Sequence, residues 1–226
     1  MTLVLNTSCN NQVQIYESIQ GEGMDSGLPA FFVRLQGCNV HCFFCDEKDT
    51  WILRDNNSVE LEAPQILDTL EKLNPELKRV IITGGEPTEQ NISPLIRLLL
   101  ANDFQVSVET AATGNYVDEL LADYGGRFSI TFSPKDLYSK NSYTADKRIW
   151  AKCSEIKFVV ASPEASNYLL NTIIPNLAQS NNQCPIFLVP DWYNLEPNKK
   201  LVIELLKKYP NRFRMGFQLH KIVDMP

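Results

Sequence analysis

The sequence contains no uninterrupted apolar stretch of the roughly 18 residues that a membrane-spanning helix requires. Its first residues, MTLVLNTSCNN, also lack the basic start and the long apolar core of a secretory signal peptide. Hydrophobic residues nevertheless make up 44% of the chain, which is typical of a globular protein with a substantial core. We therefore expect a cytoplasmic protein without a membrane partner.

The sequence also lacks a run of lysine or arginine residues. Its formal net charge is -6, and an acidic chain without a basic cluster is poorly suited to bind the phosphate backbone of a nucleic acid. Small molecules are the expected partners, with no nucleic acid among them. Anionic ligands would need local positive side chains set against the overall negative field.

No composition break, linker or internal repeat divides the chain, so we expect one domain over residues 1–226. Short β-type runs alternate with helical patterns, which predicts parallel strands joined by right-handed crossovers. Strands are predicted over 13–19, 30–35, 79–85, 105–110, 128–135, 155–161, 185–190 and 213–220. Helices are predicted over 63–73, 93–103, 115–125, 163–179 and 198–209, and Pro175 should kink or split the fourth.

Ligand-binding residues of parallel α/β folds lie at the carboxyl ends of the strands. That rule selects the segments 34–45, 83–87, 109–113, 133–135, 189–192 and 218–221. The unusual residues of this sequence fall in the same segments, so we expect one site there.

Three of the six cysteines, Cys38, Cys42 and Cys45, form a C-x3-C-x2-C pattern. In a reducing compartment such a cluster more often binds metal than forms disulfides. A structural zinc site needs a fourth ligand, for which His41, Asp46 or a remote cysteine is a candidate. A cubane iron–sulfur cluster held by three thiolates leaves one iron open for chemistry. The other cysteines are expected to be ordinary packed or surface thiols: Cys9, Cys153 and Cys184.

A second motif, TGGEP at 83–87, ends a predicted strand. Glycines there let backbone carbonyls approach a ligand without obstruction by a Cβ atom. Together with the cysteine pattern, this motif resembles the radical S-adenosylmethionine superfamily. The resemblance implies a [4Fe-4S] cluster whose open iron binds S-adenosyl-L-methionine, and a cleavage of that cofactor that leaves a 5′-deoxyadenosyl radical. The fold implied is an α/β, incomplete parallel (β/α) barrel of about six strands, shorter than the closed eight-unit form.

The segment SIQGEGMDSGLPAFFVRLQGCNVHCFFCDEKDTW at 18–51 resembles the 7-carboxy-7-deazaguanine synthase family. VIITGGEP, VETAATG, TFSPK, EIKFVV and FQLHK extend the resemblance over nearly the whole chain, and QGEG and SPK are its discriminating motifs. It implies a lyase that converts 6-carboxy-5,6,7,8-tetrahydropterin to 7-carboxy-7-deazaguanine with loss of ammonia, in queuosine and other 7-deazapurine biosynthesis. It also implies a homodimer and an electron donor such as flavodoxin or ferredoxin.

The resemblance also assigns residues by position, and none as catalytic because the adenosyl radical removes the hydrogen. Those assigned to the metals are Cys38, Cys42, Cys45 and Glu47. Those assigned to the substrate are Ile19, Gln20, Gly21, Glu22, Arg34, Thr83, Gln218, His220 and Pro226. Those assigned to the cofactor are Gly84, Gly85, Glu86, Glu109, Ser133, Pro134, Lys135, Val189, Pro190, Asp191 and Trp192. Glu22 would accept from guanidine-like nitrogens of the pterin, and Arg34 would pair with its carboxylate.

One position departs from the family pattern. Family members usually read Cys-Asp-Thr after the third cysteine, where the threonine hydroxyl helps to bind Mg2+, whereas this sequence has Glu47. Either Glu47 ligates the metal itself, or it replaces the role of the metal and reduces the dependence on Mg2+.

Two other functions remain open. A glycyl-radical-enzyme activase also has C-x3-C-x2-C and acts on a protein partner, although QGEG and SPK argue against it. A zinc-stabilised binding module would be the non-enzymatic alternative.

Overall fold

The computed structural model describes residues 2–7, 12–54, 56–139 and 143–226. Within these residues, ten strands form one sheet. The strands are β1 (Thr2–Asn6), β2 (Ile15–Ile19), β3 (Pro29–Leu35), β4 (Ser58–Glu62), β5 (Arg79–Gly84), β6 (Gln105–Thr110), β7 (Phe128–Phe132), β8 (Glu155–Val160), β9 (Ile186–Pro190) and β10 (Arg214–Met215). The residue Cys9 lies outside the described part of the chain.

The sheet runs in the order β10-β9-β8-β7-β6-β5-β3-β1-β4, with β2 also paired to β3. Neighbours from β3 to β10 are parallel, whereas β1, β2 and β4 make antiparallel pairs. The terminal strands β10 and β4 do not pair with each other in the described residues. The expected incomplete parallel barrel is therefore confirmed, with an antiparallel extension at one edge.

The parallel direction expected for the first predicted strand, 13–19, is wrong. Strand β2 pairs antiparallel with β3, with Ile15 opposite Val33 and Ile19 opposite Pro29. Only residues 20–28 join the two strands. A parallel connection needs a crossover of about a dozen or more residues, so a link of this length makes a hairpin. The sequence analysis also missed β1 and β4, which pair with each other.

Eight α-helices occur in the described residues. They are α1 (Ala63–Leu73), α2 (Ser93–Ala101), α3 (Val117–Leu120), α4 (Ile149–Lys152), α5 (Glu164–Tyr168), α6 (Ile174–Gln179), α7 (Leu195–Lys208) and α8 (Leu219–Ile222). Helix α1 begins at a capping box formed by Glu62 and Gln65 and buries Ile66 and Leu70. Each helix in this part of the chain is too short or too polar to traverse a bilayer.

Two predicted elements differ from the structure in an informative way. The helix expected over 163–179 is divided into α5 and α6 by a π-helical turn at Leu169–Ile173, immediately before the helix that contains Pro175. Proline lacks an N–H group, so a regular helix cannot pass through it, and the expected interruption is confirmed. The strand expected over 213–220 ends at Met215, and α8 follows.

The hydrophobic core packs against the parallel strands. Its largest fully buried side chains include Phe31, Phe104, Phe132 and Phe158. Each such side chain contributes roughly 2–3 kcal/mol through removal of apolar surface from water. These buried strands hold their carboxyl ends in fixed positions, which is where the predicted site residues lie.

A buried amide joins strand β1 to the end of β3. The Gln90 side chain donates from Nε2 to the carbonyls of Val4 and Gln36, both at 2.8 Å, and its Oε1 accepts from the Val4 N–H at 2.7 Å. Gln36 immediately precedes the cysteine-loop residue Gly37. This one side chain therefore fixes the point where the cysteine loop begins.

We expect the substitution Gln90→Ala to lower the free energy of unfolding by about 2 kcal/mol, because the buried Val4 N–H loses its side-chain acceptor and the carbonyls of Val4 and Gln36 each lose one donor. Urea unfolding of the metal-free protein under reducing conditions measures the change. Gln105→Ala is the matched control, since that amide accepts one exposed bond from Arg79 and should cost less than about 0.5 kcal/mol. Equal losses in the two variants would contradict the role assigned to Gln90.

Candidate functional site

A cavity of about 590 Å³ opens at the carboxyl ends of the parallel strands. Residues that follow β3, β5, β6, β7 and β9 line it, together with the loop after β2 and the segment around α8. This volume is typical of a small-molecule site. The strand-end rule therefore located the cavity correctly.

All three cysteines of the C-x3-C-x2-C pattern line this cavity. Their loop is closed by a bond from the Gly37 N–H to the Thr50 carbonyl at 2.7 Å. The Asn39 amide donates to the Thr113 carbonyl at 2.8 Å, which ties the loop to the end of β6. Buried Val40 and Ala111 form a small apolar cluster beside the thiols. The loop thus presents three sulfur atoms from a fixed and partly dry wall.

The three thiols would not ionise readily by themselves. Burial raises the pKa of Cys38 to about 11, although backbone hydrogen bonds near His41 and Val40 oppose the shift. Burial also raises the pKa of Cys42 and of Cys45. A bound metal centre overcomes this barrier because its positive charge deprotonates a coordinating thiol. No three His, Cys, Asp or Glu side chains of the described residues are close enough to hold a single metal ion.

The Gly-Gly-Glu-Pro turn contacts the start of the cysteine loop. The Gly85 N–H donates to the Leu35 carbonyl at 3.1 Å, and the Glu86 N–H donates to the Gly37 carbonyl at 2.8 Å. Gly84 has a φ of +133°, and a Cβ atom there would lie 2.2 Å from the Leu35 carbonyl oxygen. The first glycine is therefore required by the approach of two backbone segments as well as by any ligand.

The Glu86 carboxylate is occupied by hydrogen bonds within the protein. It is 2% exposed. One oxygen accepts from the Thr88 N–H at 3.0 Å and from the hydroxyls of Thr88 and Thr110, and the other accepts from the Ala111 N–H at 2.7 Å. The side chain thus braces the turn after β5 against the end of β6. A direct bond from this carboxylate to the cofactor would have to compete with these partners.

A buried ionic cluster lies between β6, β8 and the loop after β2. The Lys157 ammonium is 2.8 Å from Glu22 Oε2 and 2.7 Å from Glu109 Oε1. The Gln20 amide also donates to Glu109 Oε1 at 2.8 Å. Burial alone would raise the pKa of Glu109, but the adjacent Lys157 lowers it below its usual value. The cluster therefore places two carboxylates and an amide on the cavity wall.

A second ion pair joins the two positions expected to hold the metal and the substrate carboxylate. Arg34 Nη2 lies 3.1 Å from Glu47 Oε1, and it donates to the Tyr16 hydroxyl at 2.7 Å. Burial raises the pKa of Glu47, and the positive charge of Arg34 opposes that rise. The Tyr16 ring stacks on Phe32, and both line the cavity.

Residues of the segment from α8 to Pro226 form part of the cavity wall. The Leu219 N–H donates to the Gly21 carbonyl at 2.9 Å, and Ser18 donates from its hydroxyl to the Pro226 carbonyl oxygen at 2.6 Å. A Cβ atom on Gly21 would lie 1.9 Å from His220 Nδ1, so only glycine permits this approach. The segment is therefore attached to the QGEG loop at Gly21 and to strand β2 at Ser18.

A third contact attaches the same segment to the cysteine loop. The Lys221 ammonium lies 2.7 Å from Asp46 Oδ2. Burial would raise the pKa of Asp46, but its bond to Lys221 leaves that pKa below the ordinary value. The segment from α8 to Pro226 thus contacts both the β2 side of the cavity and the cysteine loop.

The cavity brings together most of the residues assigned by resemblance. They are Cys38, Cys42, Cys45, Glu47, Gly84, Gly85, Glu86, Glu109, Ser133, Lys135, Val189, Pro190, Asp191, Trp192, Gln20, Glu22, Arg34, Thr83, Gln218, His220 and Pro226. Three others do not line it: Ile19, Gly21 and Pro134. Gly21 acts through its backbone, as its bond to Leu219 shows.

Sequence analysis did not single out several residues of the cavity wall, of which Tyr16 and Lys157 make the polar contacts described above. The available signal for Lys157 was a lysine within the apolar strand EIKFVV. Two cysteines outside the pattern, Cys153 and Cys184, do not line the cavity, and their sulfur atoms lie 3.7 Å apart.

Comparisons with known proteins agree with this geometry. The family model of the Radical SAM superfamily matches residues 32–149. The chain is 36% identical to 7-carboxy-7-deazaguanine synthase from Aquifex aeolicus (strain VF5), over 94% of this chain and 92% of that protein. It is 30% identical to the protein of the same name from Escherichia coli (strain K12), over 94% and 97%.

A solved structure supports the same assignment. The crystal structure of QueE from Escherichia coli superposes with a TM-score of 0.78 at 26% identity, covering 97% of this chain and 95% of that one. These matches do not favour the activase or the zinc-binding module as the alternative. The chain belongs to the radical SAM superfamily and, within it, to the 7-carboxy-7-deazaguanine synthase family.

Proposed function

We propose that this protein converts 6-carboxy-5,6,7,8-tetrahydropterin to 7-carboxy-7-deazaguanine with loss of ammonia, as a lyase of queuosine biosynthesis. The observation that carries the proposal is one cavity lined both by three cysteine thiols and by the cluster of Gln20, Glu22 and Glu109. The first group suits a radical-generating cofactor, and the second suits a ring rich in N–H donors. The names of the relatives support the same reaction.

Membership of the superfamily implies a [4Fe-4S] cluster and S-adenosyl-L-methionine. The residues fit these groups, since Cys38, Cys42 and Cys45 line one cavity beside a small apolar cluster. They would hold the iron–sulfur cluster, and the Gly84–Gly85 turn and Ser133 to Lys135 would bind the methionine derivative. When bound, these groups supply the one-electron chemistry that removes a hydrogen atom from the substrate.

The protein itself positions the reactants and excludes water. The brace formed by Glu86 keeps the Gly-Gly turn fixed against β6. Phe44 and Val40 pack beside the cysteines and keep water from that wall. The Nζ atom of Lys135 lies 5.2 Å from the centre of the Phe44 ring. A dry and rigid pocket is what radical chemistry needs, because a reactive intermediate attacks any group within reach.

The pterin would be held through its ring edge and its carboxylate. Gln20 and Glu22 would accept from its guanidine-like nitrogens, and Arg34 would pair with the carboxylate. Thr83, Gln218, His220 and Pro226 are assigned to the substrate by position. Burial lowers the pKa of His220, so its imidazole is neutral at neutral pH and can both donate and accept.

We propose further that Glu47 supplies an oxygen ligand to Mg2+. The Glu47 side chain is 38% exposed and its Oε1 pairs with Arg34. Mg2+ prefers hard oxygen ligands and is often held by one or two carboxylates together with water and substrate oxygens. A carboxylate on the cavity wall fits that requirement in place of the usual threonine hydroxyl.

The remaining features of the proposal are the partners and the location. A small-molecule substrate and an electron donor follow from the superfamily. We propose that the donor is a flavodoxin or a ferredoxin, that the enzyme acts as one radical SAM domain over residues 1–226 in a homodimer, and that it works in the cytoplasm without a nucleic-acid or membrane partner.

Purified protein with a reconstituted cluster should convert the carboxylated tetrahydropterin to 7-carboxy-7-deazaguanine, with one ammonia released per product. The assay contains S-adenosyl-L-methionine and a low-potential reductant under anaerobic conditions, and chromatography with mass spectrometry identifies the product. A mixture without reductant is the control and should yield no product. Formation of 5′-deoxyadenosine while the pterin stays unchanged would show that the proposed substrate is wrong.

Single substitutions Cys38→Ala, Cys42→Ala and Cys45→Ala should each reduce the iron and acid-labile sulfide content of the reconstituted protein to near background, because each removes one of three thiolates. Cys184→Ala is the matched control, since this thiol does not line the cavity, and should leave both contents unchanged. Full cluster content in any of the three variants would exclude that cysteine as a ligand. Zinc without sulfide in the unchanged protein would support the binding-module alternative.

Chelation of Mg2+ should lower turnover of the unchanged protein by about 10-fold or more, because the ion would offset negative charge beside Glu47. Glu47→Ala should raise the Mg2+ concentration needed for half-maximal turnover, whereas Glu47→Thr should respond to the ion more strongly than Glu47→Ala. Asp49→Ala, in an exposed carboxylate close by in sequence, is the control. Turnover that does not change on chelation would favour the second hypothesis, in which Glu47 replaces the metal.

A further inference from the structure

Lys157 is buried, and a buried lysine is unfavourable unless its charge is paired. It lies in the middle of β8, opposite Phe187 of β9, and is 3% exposed. Its neighbours along the strand, Ile156 and Phe158, are fully buried. A buried ammonium group is costly unless it is paired and hydrogen-bonded. The pairing partners of Lys157 therefore indicate what the residue does.

Its two partners come from different parts of the fold. Glu22 belongs to the QGEG loop after β2, and Glu109 belongs to β6. The Lys157 ammonium lies within 2.8 Å of one oxygen of each carboxylate. Gln20 joins the group by donating to Glu109 Oε1 and accepting from the Glu22 N–H at 3.0 Å. All four residues line the cavity.

We propose that Lys157 is a positioning residue that holds Glu22 and Glu109 side by side, so that both carboxylates accept N–H donors from the 2-amino-4-oxopyrimidine ring of the substrate. This inference rests on the proposed function, because it assigns a recognition element to the same site. It also moves Glu109 from the cofactor residues to the substrate residues, since its hydrogen-bond partner Gln20 belongs to that set.

The charge balance explains why a cation is needed at this point. Two carboxylates close together in a partly dry pocket favour the uptake of one proton. A protonated carboxyl group offers a donor where the substrate also presents a donor, so recognition would be lost. The Lys157 ammonium removes this tendency, and it leaves the second oxygen of each carboxylate available to a ligand.

Other charged groups surround the cluster and remain in place when Lys157 is changed. Glu155, on the same strand, accepts from the Thr131 hydroxyl at 2.8 Å and from the Met24 N–H at 2.7 Å. Arg34 from β3 and His220 from α8 face the same cavity. Arg34 is paired with Glu47, so it does not replace the ammonium of Lys157.

The first experiment measures substrate binding and turnover for Lys157→Met. We expect the dissociation constant of the tetrahydropterin, measured by anaerobic equilibrium dialysis, to rise about 10- to 100-fold, as for a lost charge-assisted hydrogen bond. The KM should rise with it, and 5′-deoxyadenosine should form in excess over the deazaguanine product. Lys152→Met is the control because Lys152 is exposed at the end of α4. Unchanged binding in Lys157→Met would overturn the proposal.

The second readout is the pH dependence of kcat/KM. Removal of the ammonium raises the pKa of the carboxylate pair, so a proton binds to it as the pH falls. The kcat/KM of Lys157→Met should therefore fall as the pH decreases from about 8 to about 6. The midpoint of this fall should lie about one to three pH units above the midpoint for the unchanged protein. Lys157→Arg, which keeps the charge, should restore most of the acid-side activity. An acid limb identical in Lys157→Met and unchanged protein would contradict the positioning role.

The third readout compares the substrate with its 2-deamino analogue, which lacks one N–H donor group. The unchanged protein should bind the substrate about 10- to 100-fold more tightly than the analogue, and Lys157→Met should lose most of this difference. If Lys157→Met does not fold, Glu22→Gln and Glu109→Gln test the same recognition, and full discrimination in both would overturn it. Absence of deazaguanine from the unchanged protein would instead refute the proposed function, whatever the binding data show.

Discussion

The hydrogen bonds between the Gly-Gly-Glu turn and the start of the cysteine loop are the constraint on which the site depends. Strands β3 and β5 are parallel neighbours, and their pairing continues beyond the strands through the bonds from Gly85 to Leu35 and from Glu86 to Gly37. Two motifs far apart in sequence are thereby fixed in contact. Without this contact the three thiols and the turn could not serve one ligand, since each is carried by a loop rather than by a strand.

The same contact explains why the glycine positions of the motif leave no room for a side chain. A Cβ atom on Gly85 would lie 2.0 Å from the Gly37 carbonyl oxygen. The glycines therefore have a structural reason that holds before any ligand binds. The Glu86 carboxylate completes the arrangement by joining the turn to Thr110 and Ala111 at the end of β6. Strands β3, β5 and β6 thus hold the cysteine loop and the Gly-Gly-Glu turn in fixed positions relative to each other.

Much of the site could be predicted from the sequence because strand patterns and the residues that follow each strand are both visible in short segments. Alternating patterns such as QVSVET predicted strand β6 with its observed bounds, and the strand-end rule then located the cavity. The direction of β2 could not be obtained in this way, because it depends on the length of its connection to β3. Strands β1 and β4 pair across more than fifty intervening residues, and nothing in either short run indicates the other.

The role of Lys157 could not be predicted from the sequence either. A lysine within EIKFVV is ambiguous by itself, because its partners Glu22 and Glu109 come from distant strands and loops. The sequence showed that Glu47 departs from the family pattern, but it did not show that Arg34 is the partner of Glu47. The sequence assigned Arg34 to the substrate, and the structure shows that Glu47 already pairs with it. Pairing across elements is the information that only the fold supplies.

That pair imposes a charge requirement on the proposed reaction. Arg34 carries one positive charge, whereas Glu47 and the carboxylate of the pterin would carry two negative charges beside it. Lys221 does not supply the missing charge, because it is paired with Asp46. In a pocket of low dielectric constant the excess negative charge would weaken substrate binding. A divalent cation at Glu47 would remove the excess, and this charge balance is the physical argument for the proposal that Glu47 binds Mg2+.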